Sequence, residues 1–570
     1  MSFLRRFIRL PSYLFSNRWL ASQQRSIMSA ASVITAANIL VSLSGLLRDR
    51  FMLSLYAGHE ELLQAYDAFR VAFQVPDLIY QLLIVGALSA SFVPMFTFLK
   101  RRDKANAFRM TNICMNYLLA FFLGLSVLIM IFAPQITRAR IGDAYSSEQI
   151  QTVINLTRLM MVGQFFFAIS SFFTGMLQSY QRFVIPALVP LFYNASIAVG
   201  AWALFPYCGI YGAGIGVVFG AFAHMAIQLP FVRQLEWAYQ WCWDWSQHGV
   251  KQLFAMMPAR TLTLGMSEVQ SFGLSYFITS VDRVGYTMFL LARTLINLPI
   301  RFVGVPIGQA ALPFLSNLSD DDRLERFKKV VLQSLNQIAY LAWPMAVMLM
   351  ILRIPTVRLV FGTRSFTWER TILVGRLIAF MAISIPAQAM FHLLVRAFHA
   401  LRDTLTPFLI SLFTTSVFFI GCGLAIKLPS NQLYGIAISI SLTMIAESLV
   451  FIFLLDRKLK GLINFNFLAT QAKILLASGL TAIALYIPYK LLDNFVFETT
   501  RVVPLIMLTG ITGVVGLSVY IGLSKLFRIE EMNILIHLFT SFTRKPKQTV
   551  QLALPPTEIV SDPVDSNDLV

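Results

Sequence analysis

Five polar residues recur through an otherwise apolar stretch at 67–96, DAFRVAFQVPDLIYQLLIVGALSASFVPMF: Asp67, Arg70, Gln74, Asp77 and Gln81. Steps of three and four residues put them on one face of a helix. The stretch is long enough to cross a bilayer, and ionic groups at that depth face a bundle interior or a water-filled cavity. The chemistry such a stripe can do is binding. Guanidinium forks grip carboxylate or phosphate oxygens, and nearby acids hold or release the forks. Pro76 sits inside the stripe and is expected to kink the helix and free a carbonyl.

A second stripe, Arg293, Asn297 and Arg301, stacks two cations at i and i+8, with Pro299 between them and Gly304 and Gly308 beyond. The segment PARTLTLGMSEVQS adds Arg260, with Ser267 and Ser271 able to share its face and Glu268 close by. Near the start of the chain Asn38, Ser42, Gly45 and Asp49 share a face, adjoined by Arg48 and Arg50. From the residues alone, Arg48 and Arg50 either snorkel to headgroups or, for Arg48, face the cavity. Any one of these arginines also reads as a paired buried charge that fixes packing. As a set, Arg70, Arg260, Arg293 and Arg301 outnumber the acids Asp67, Asp77 and Glu268, which favours a cationic cavity for an anionic ligand. No Walker loop, HExxH or GxSxG occurs, so no catalytic set is expected. The six histidines and four cysteines are scattered, which argues against a metal site or a structural disulfide; His392 and His399 read as packing residues.

The elements that must position these residues are membrane spans. Of 570 residues, 57% are hydrophobic and only 13% charged, with mean hydropathy +0.68. A soluble chain needs more charged surface, and a barrel would show short alternating segments. The expected fold is an all-α polytopic membrane protein. Spans fall at 28–57, 68–98, 109–133, 149–178, 184–206 and 209–231, then 255–280, 285–315, 330–353, 367–398, 406–427 and 433–455, and finally 470–491 and 502–526. That makes about fourteen helices. The net charge of +18 fits basic cytoplasmic loops better than nucleic acid, and no nucleic-acid partner is expected. Basic clusters at 100–104 (KRRDK), 323–329, 457–460 and 544–547 place both termini in the cytoplasm. A loop on the opposite side, holding Arg353, Arg358 and Arg364, breaks that rule.

Three weak internal matches share nearly one offset. QVPDLI at 74–79 pairs with NLPIRF at 297–302, QRFVIP at 181–186 with RDTLTP at 402–407, and IYGAGIG at 210–216 with LYGIAIS at 433–439. Two six-helix lobes in parallel repeat follow, with two C-terminal helices outside the duplication. The domains read as a basic interfacial segment (1–27), an N-lobe (28–231), a Trp-rich interfacial linker (232–254), a C-lobe (255–456), a two-helix unit (468–527) and a cytoplasmic tail (528–570). The linker RQLEWAYQWCWDWSQHGVK is expected to lie as a helix at headgroup level. The acidic run 320–322 reads as a solvated loop, and the tail from Pro546 onward as disordered.

LSGLLRDR, YDAFRVAFQVPDLI, GALSASFVP and QRFVIPALVPLFYN resemble the MurJ (MviN) family of lipid II flippases, within the multidrug/oligosaccharidyl-lipid/polysaccharide exporter superfamily. The resemblance covers roughly 28–525. It implies a two-lobed transporter of the bacterial inner membrane, with a cationic cavity for the head of an undecaprenyl-diphosphate-linked glycopeptide. It also implies that the last two helices form a groove for the lipid tail. Arg48 and Asp67 match functional family positions. The chain departs from the family pattern at Ser42, Tyr80, Gln81 and Val85, and the family's eighth-span arginine aligns with Thr294, one residue after Arg293.

The expected activity is therefore flipping of lipid II by alternating access, with no enzymatic step and no resident cofactor. Arg48, Arg70, Arg260, Arg293 and Arg301 are the expected substrate ligands. Asp67, Asp77 and Glu268 are expected to pair with them or gate. Coupling to Na⁺, H⁺ or the membrane potential stays open, and a monomer is expected. The rival readings are an exporter of another polyprenyl-linked glycan, which the copurifying lipid would identify, and a non-transporting scaffold, which would not need opposed polar stripes in two lobes.

Overall fold

The computed structural model describes residues 27–81, 89–247, 249–316, 324–459, 461–495 and 502–532. The 1–27 segment before its last residue, the acidic run at 320–322, Val85 and the tail beyond 532 lie outside the described residues. The first lobe comprises α1 (Ile27–Tyr56), α2 (Glu60–Ala72), α3 (Gln74–Ile79), α4 (Ser89–Arg102), α5 (Lys104–Arg140), α6 (Ser147–Ser179), α7 (Val184–Ala203), α8 (Phe205–Cys208) and α9 (Tyr211–Arg233). The second comprises α10 (Val250–Thr279), α11 (Gly285–Pro299), a π-helical turn (Ile300–Gly304), α12 (Val305–Ser316), α13 (Leu324–Ile351), α14 (Arg353–Phe361), α15 (Trp368–Ala382), α16 (Ile385–Ala400), α17 (Leu405–Ala425) and α18 (Gln432–Leu459). Then α19 (Phe465–Phe495) and α20 (Val502–Leu526) pack on each other and against α13.

Among the described residues ten helices are long and apolar enough to cross a membrane, or eleven if α15 and α16, bent by 48°, form one span. The segments holding Arg70 and Asp77, and Glu268, are not among them. Polar residues dilute their apolar runs. The lobes share their irregularities. Gln181 and Arg402, 221 residues apart, both turn the chain with positive φ (60° and 58°), and so do Gly209 and Asn431, 222 apart (52° and 61°). Non-glycine residues rarely adopt that region, so the matching positions reflect one duplicated turn design.

Local sequence sets the helix boundaries. The Asp103 carboxylate accepts the Ala105 N–H at 2.9 Å to start α5, and Ser146 with Gln149 forms a reciprocal capping box that starts α6. Pro76 cannot donate to the Ala72 carbonyl, and the helix breaks at Phe73. That carbonyl instead accepts the Thr157 hydroxyl at 3.4 Å. Pro299 in turn directly precedes the π-helical turn. Between α7 and α9 the backbones nearly touch: a Cβ on Gly200 would lie 2.6 Å from the Gly216 Cα. Small residues permit such approach in membranes.

The Trp-rich linker is not a helix. Its described residues between 234 and 249 run as turns and irregular chain along α5. Trp237 donates to Asn112 at 3.0 Å and Tyr239 to Asn116 at 2.7 Å. The two asparagines donate in return to the carbonyls of Ala238 (3.2 Å) and Cys242 (2.9 Å). These side chains satisfy backbone groups that a helix would have bonded internally. As a result α10 starts at Val250, five residues before the expected lobe boundary.

Candidate substrate site at the lobe boundary

The stripes meet in two linked clusters. In the first, Asp49, 4% exposed, bridges two arginines: Arg48 at 2.9 Å and Arg70 at 2.9 Å. Arg48 also donates to Asn194 (2.9 Å), which donates to Ser44 (2.8 Å), and Arg70 donates to Tyr66 at 2.8 Å. Two guanidiniums around one carboxylate leave one positive charge in excess. Asp49, on the polar face of the first span, was not an expected pairing residue.

The second cluster spans the lobes. Asp67 is fully buried and meets no arginine, contrary to the expected pairing. Its carboxylate accepts the Tyr145 hydroxyl and the backbone N–H of Thr287, in the first turn of α11. That places a negative charge at a helix N-terminus, where the macrodipole favours it. Gln74 bonds Tyr286 across the boundary and also bonds Arg140. Thr279 accepts the Gly142 N–H at 2.9 Å, Arg283 donates to the Ala144 carbonyl at 2.9 Å, and Gln149 donates to the Arg283 carbonyl at 3.0 Å. On the same end of the bundle Arg370 donates to Ala57 and Glu60, both at 2.7 Å, and Ser365 to Ser54 at 3.1 Å. The lobes are thus latched by hydrogen bonds where the 57–59, 141–146, 280–284 and 362–367 loops lie.

Arg140 is the residue that sequence reasoning missed. It is 8% exposed, with one amino group bonded to the Val71 carbonyl (3.2 Å) and to Gln74, and it lies 4.5 Å from the Phe272 ring centre. Among the described residues its Nε and Nη1 are buried without a partner and it makes no ion pair. Such donors are costly to leave unmade and invite an oxyanion. The phenol of Tyr286 lies within electrostatic reach of Arg293, Arg140 and Arg70, cations contributed by both lobes.

Arg293 is exposed, lines a cavity of about 90 Å³ with Gln270, Ser271, Asn297 and Gln388, and makes no ion pair among the described residues. Glu268 interacts electrostatically with Arg293 on one side and Asp77 on the other, and Asp77 bonds Gln81. Arg301 is exposed in the π-helical turn and joins neither cluster. Arg260 lies on α10, and its side chain is outside the described residues. Arg48, Arg70, Arg140 and Arg293 are matched in number by Asp49, Asp67, Asp77 and Glu268. What distinguishes the site is separation: Asp67 is engaged by neutral donors, while Arg140 and Arg293 keep theirs. No group of three or more metal-ligating side chains occurs among the described residues.

A family model described as "Lipid II flippase MurJ" matches residues 63–508. A probable lipid II flippase MurJ from Thermotoga maritima is 25% identical over 86% of this chain and 94% of its own length. One from Rhizobium meliloti is 24% identical over 84% of this chain and 89% of its own. One from Bdellovibrio bacteriovorus is 23% identical over 70% and 76%. Among solved structures, a lipid II flippase MurJ in an inward closed conformation superposes with TM-score 0.71 at 19% identity, covering 87% of this chain and 98% of the other. An inward-facing multidrug resistance MATE family transporter gives 0.60 at 17% identity over 76% and 98%.

Proposed function

The chain belongs to the MurJ lipid II flippase family, and from that premise we propose that it carries lipid II across the bacterial inner membrane by alternating access. It is a multi-pass membrane transporter and not an enzyme. The glycopeptide diphosphate head cannot cross hydrocarbon unaided, so a shielded polar path between two lobes is what lowers the barrier. In the proposed cycle both termini are cytoplasmic, the latched end faces outward, and the structure is the outer-closed state. The head enters from the cytoplasmic side and is held by Arg48, Arg70 and Arg293. Its diphosphate then reaches Arg140, whose two unpartnered donors lie beside the latch. Engagement of Arg140 withdraws it from Gln74, which loosens the Gln74–Tyr286 contact and lets the outer end part.

The observation that carries this reading is the position of a buried guanidinium, in no ion pair among the described residues, inside the hydrogen-bonded seam between the lobes. The test is expression in a bacterium depleted of its own lipid II flippase. Growth is expected to return, with lipid II reaching the outer leaflet. Correctly inserted protein that leaves lipid II inside would overturn the assignment, and exclusive copurification of another polyprenyl glycan would redirect it to that substrate.

A further inference from the structure

The loop that broke the charge rule encloses a cavity. Arg50 of α1, Arg358 of α14 and Arg364 of the 362–367 loop line a space of about 620 Å³, closed on other sides by Gly362, Thr363, Phe366, Trp368 and Thr371. Its remaining wall is Val502 and Leu505, in the first turn of α20. No acidic residue lines it among the described residues. Among the described residues Glu60 is held by Arg370 at 2.7 Å, and Glu369 is exposed on the first turn of α15. The Thr363 hydroxyl is buried without a hydrogen-bond partner. The Arg358 guanidinium lies 5.4 Å from the Trp368 ring centre, which orients it without neutralising it.

We propose that this cavity is a second site, at the latched end, for the diphosphate of a prenyl lipid, with the hydrocarbon chain leaving along α20. The charge argues for a diphosphate over a single phosphodiester. Three arginines line the cavity with no acid beside them among the described residues, and planar forks match adjacent phosphoryl groups. The orphan hydroxyl of Thr363 supplies one further donor. The apolar wall argues for a lipid over a free anion, because Val502 is half exposed beside the arginines and begins a long apolar helix. The site also accounts for basic residues on the side of the membrane where orienting charge is not expected.

The site has a built-in consequence. Arg50 comes from the first lobe and donates to the Leu359 and Val360 carbonyls of the second, so the three arginines line one cavity only while the latched end is shut. A ligand that binds one state alone stabilises that state. The diphosphate lipid released outside therefore favours closure and return of the transporter to its cytoplasm-facing form. This inference rests on the proposed transport cycle for its meaning, but not for its test.

The experiment uses the full chain in lipid nanodiscs with Thr287→Cys as reporter and the four native cysteines replaced. Modification of that buried position by a water-soluble maleimide reads how often the latch opens. Farnesyl diphosphate is expected to slow modification saturably by about tenfold or more, the shift that differential affinity for one state produces. Inorganic diphosphate should act at higher concentration, and phosphatidylglycerol should not substitute. Arg364→Gln and, separately, Thr363→Val should abolish the effect while leaving the rate without ligand unchanged. Slowing that survives both variants, or that phosphatidylglycerol reproduces equally, would overturn the proposal, as would no slowing at all. If lipid II transport fails in cells while this response persists, the substrate assignment is wrong and the site stands.

Discussion

Replacing Asp67 by asparagine tests the latch most quantitatively. The side chain keeps its volume, but one of its two acceptor positions becomes a donor. Either the Tyr145 hydroxyl or the Thr287 N–H is then buried unpaired, at a cost of about 1–3 kcal/mol. The charge at the start of α11 is also lost, which removes roughly 0.3–1 kcal/mol more. Relief of carboxylate desolvation offsets part of this. A net of about 2 kcal/mol against the latched state follows, because in the parted state water reaches both donors. At 1.4 kcal/mol per tenfold, the open population rises about 30-fold. The Thr287→Cys reporter keeps the contact under test, since the N–H that donates to Asp67 is backbone. The expected result is maleimide modification about 30-fold faster in Asp67→Asn than in the parent. A rate unchanged within about threefold, in protein that inserts normally, would show that Asp67 fills space and does not hold the lobes.

Three further outcomes are expected. A Cβ on Gly142 would lie 2.3 Å from the Ser280 Cα across the lobes, so Gly142→Ala should open the latch in the same assay by about 1–3 kcal/mol of overpacking; a slower rate would contradict this. Asp49→Asn leaves Arg48 and Arg70 without their shared carboxylate and should lower folding stability by about 3–5 kcal/mol, read as the thermal midpoint in detergent; an unchanged midpoint would refute the bridge. Arg140→Gln removes an uncompensated buried charge, so stability should hold within about 1 kcal/mol while flipping falls by at least about tenfold. A loss of about 3 kcal/mol with transport intact would make Arg140 a packing residue instead.

Much of the architecture could be read from residue pattern. The duplication was visible because turn chemistry persists: QRFVIP and RDTLTP build the same left-handed turn at Gln181 and Arg402. The polar helices were visible because ionic residues at membrane depth are rare enough to stand out. The pairings were not, since helical spacing fixes the face of a residue and not its partner. Asp49 shared a face with Asn38, Ser42 and Gly45, yet nothing local said that Arg70 from α2 would reach it. Asp67 was read as an arginine partner, and its actual partners lie 78 and 220 residues away. Arg140 ends a long helix in ITRARIGD, where nothing local marks it as buried; its contacts come from Val71, Gln74 and Phe272 in other segments. The linker did carry a signal. Trp237, Tyr239, Trp241, Trp243 and Trp245 recur every second residue, the period of extended chain rather than helix.

The central claim is that lipid II moves because the latched ends of the lobes part. A Cβ on Gly58 would lie 3.8 Å from the Ser365 Cβ, inside the roughly 3.5–4.5 Å range that a disulfide spans. With the native cysteines replaced, Gly58→Cys/Ser365→Cys should cross-link on oxidation, stop lipid II reaching the outer leaflet, and recover when reduced. Undiminished flipping by fully cross-linked protein would contradict the account.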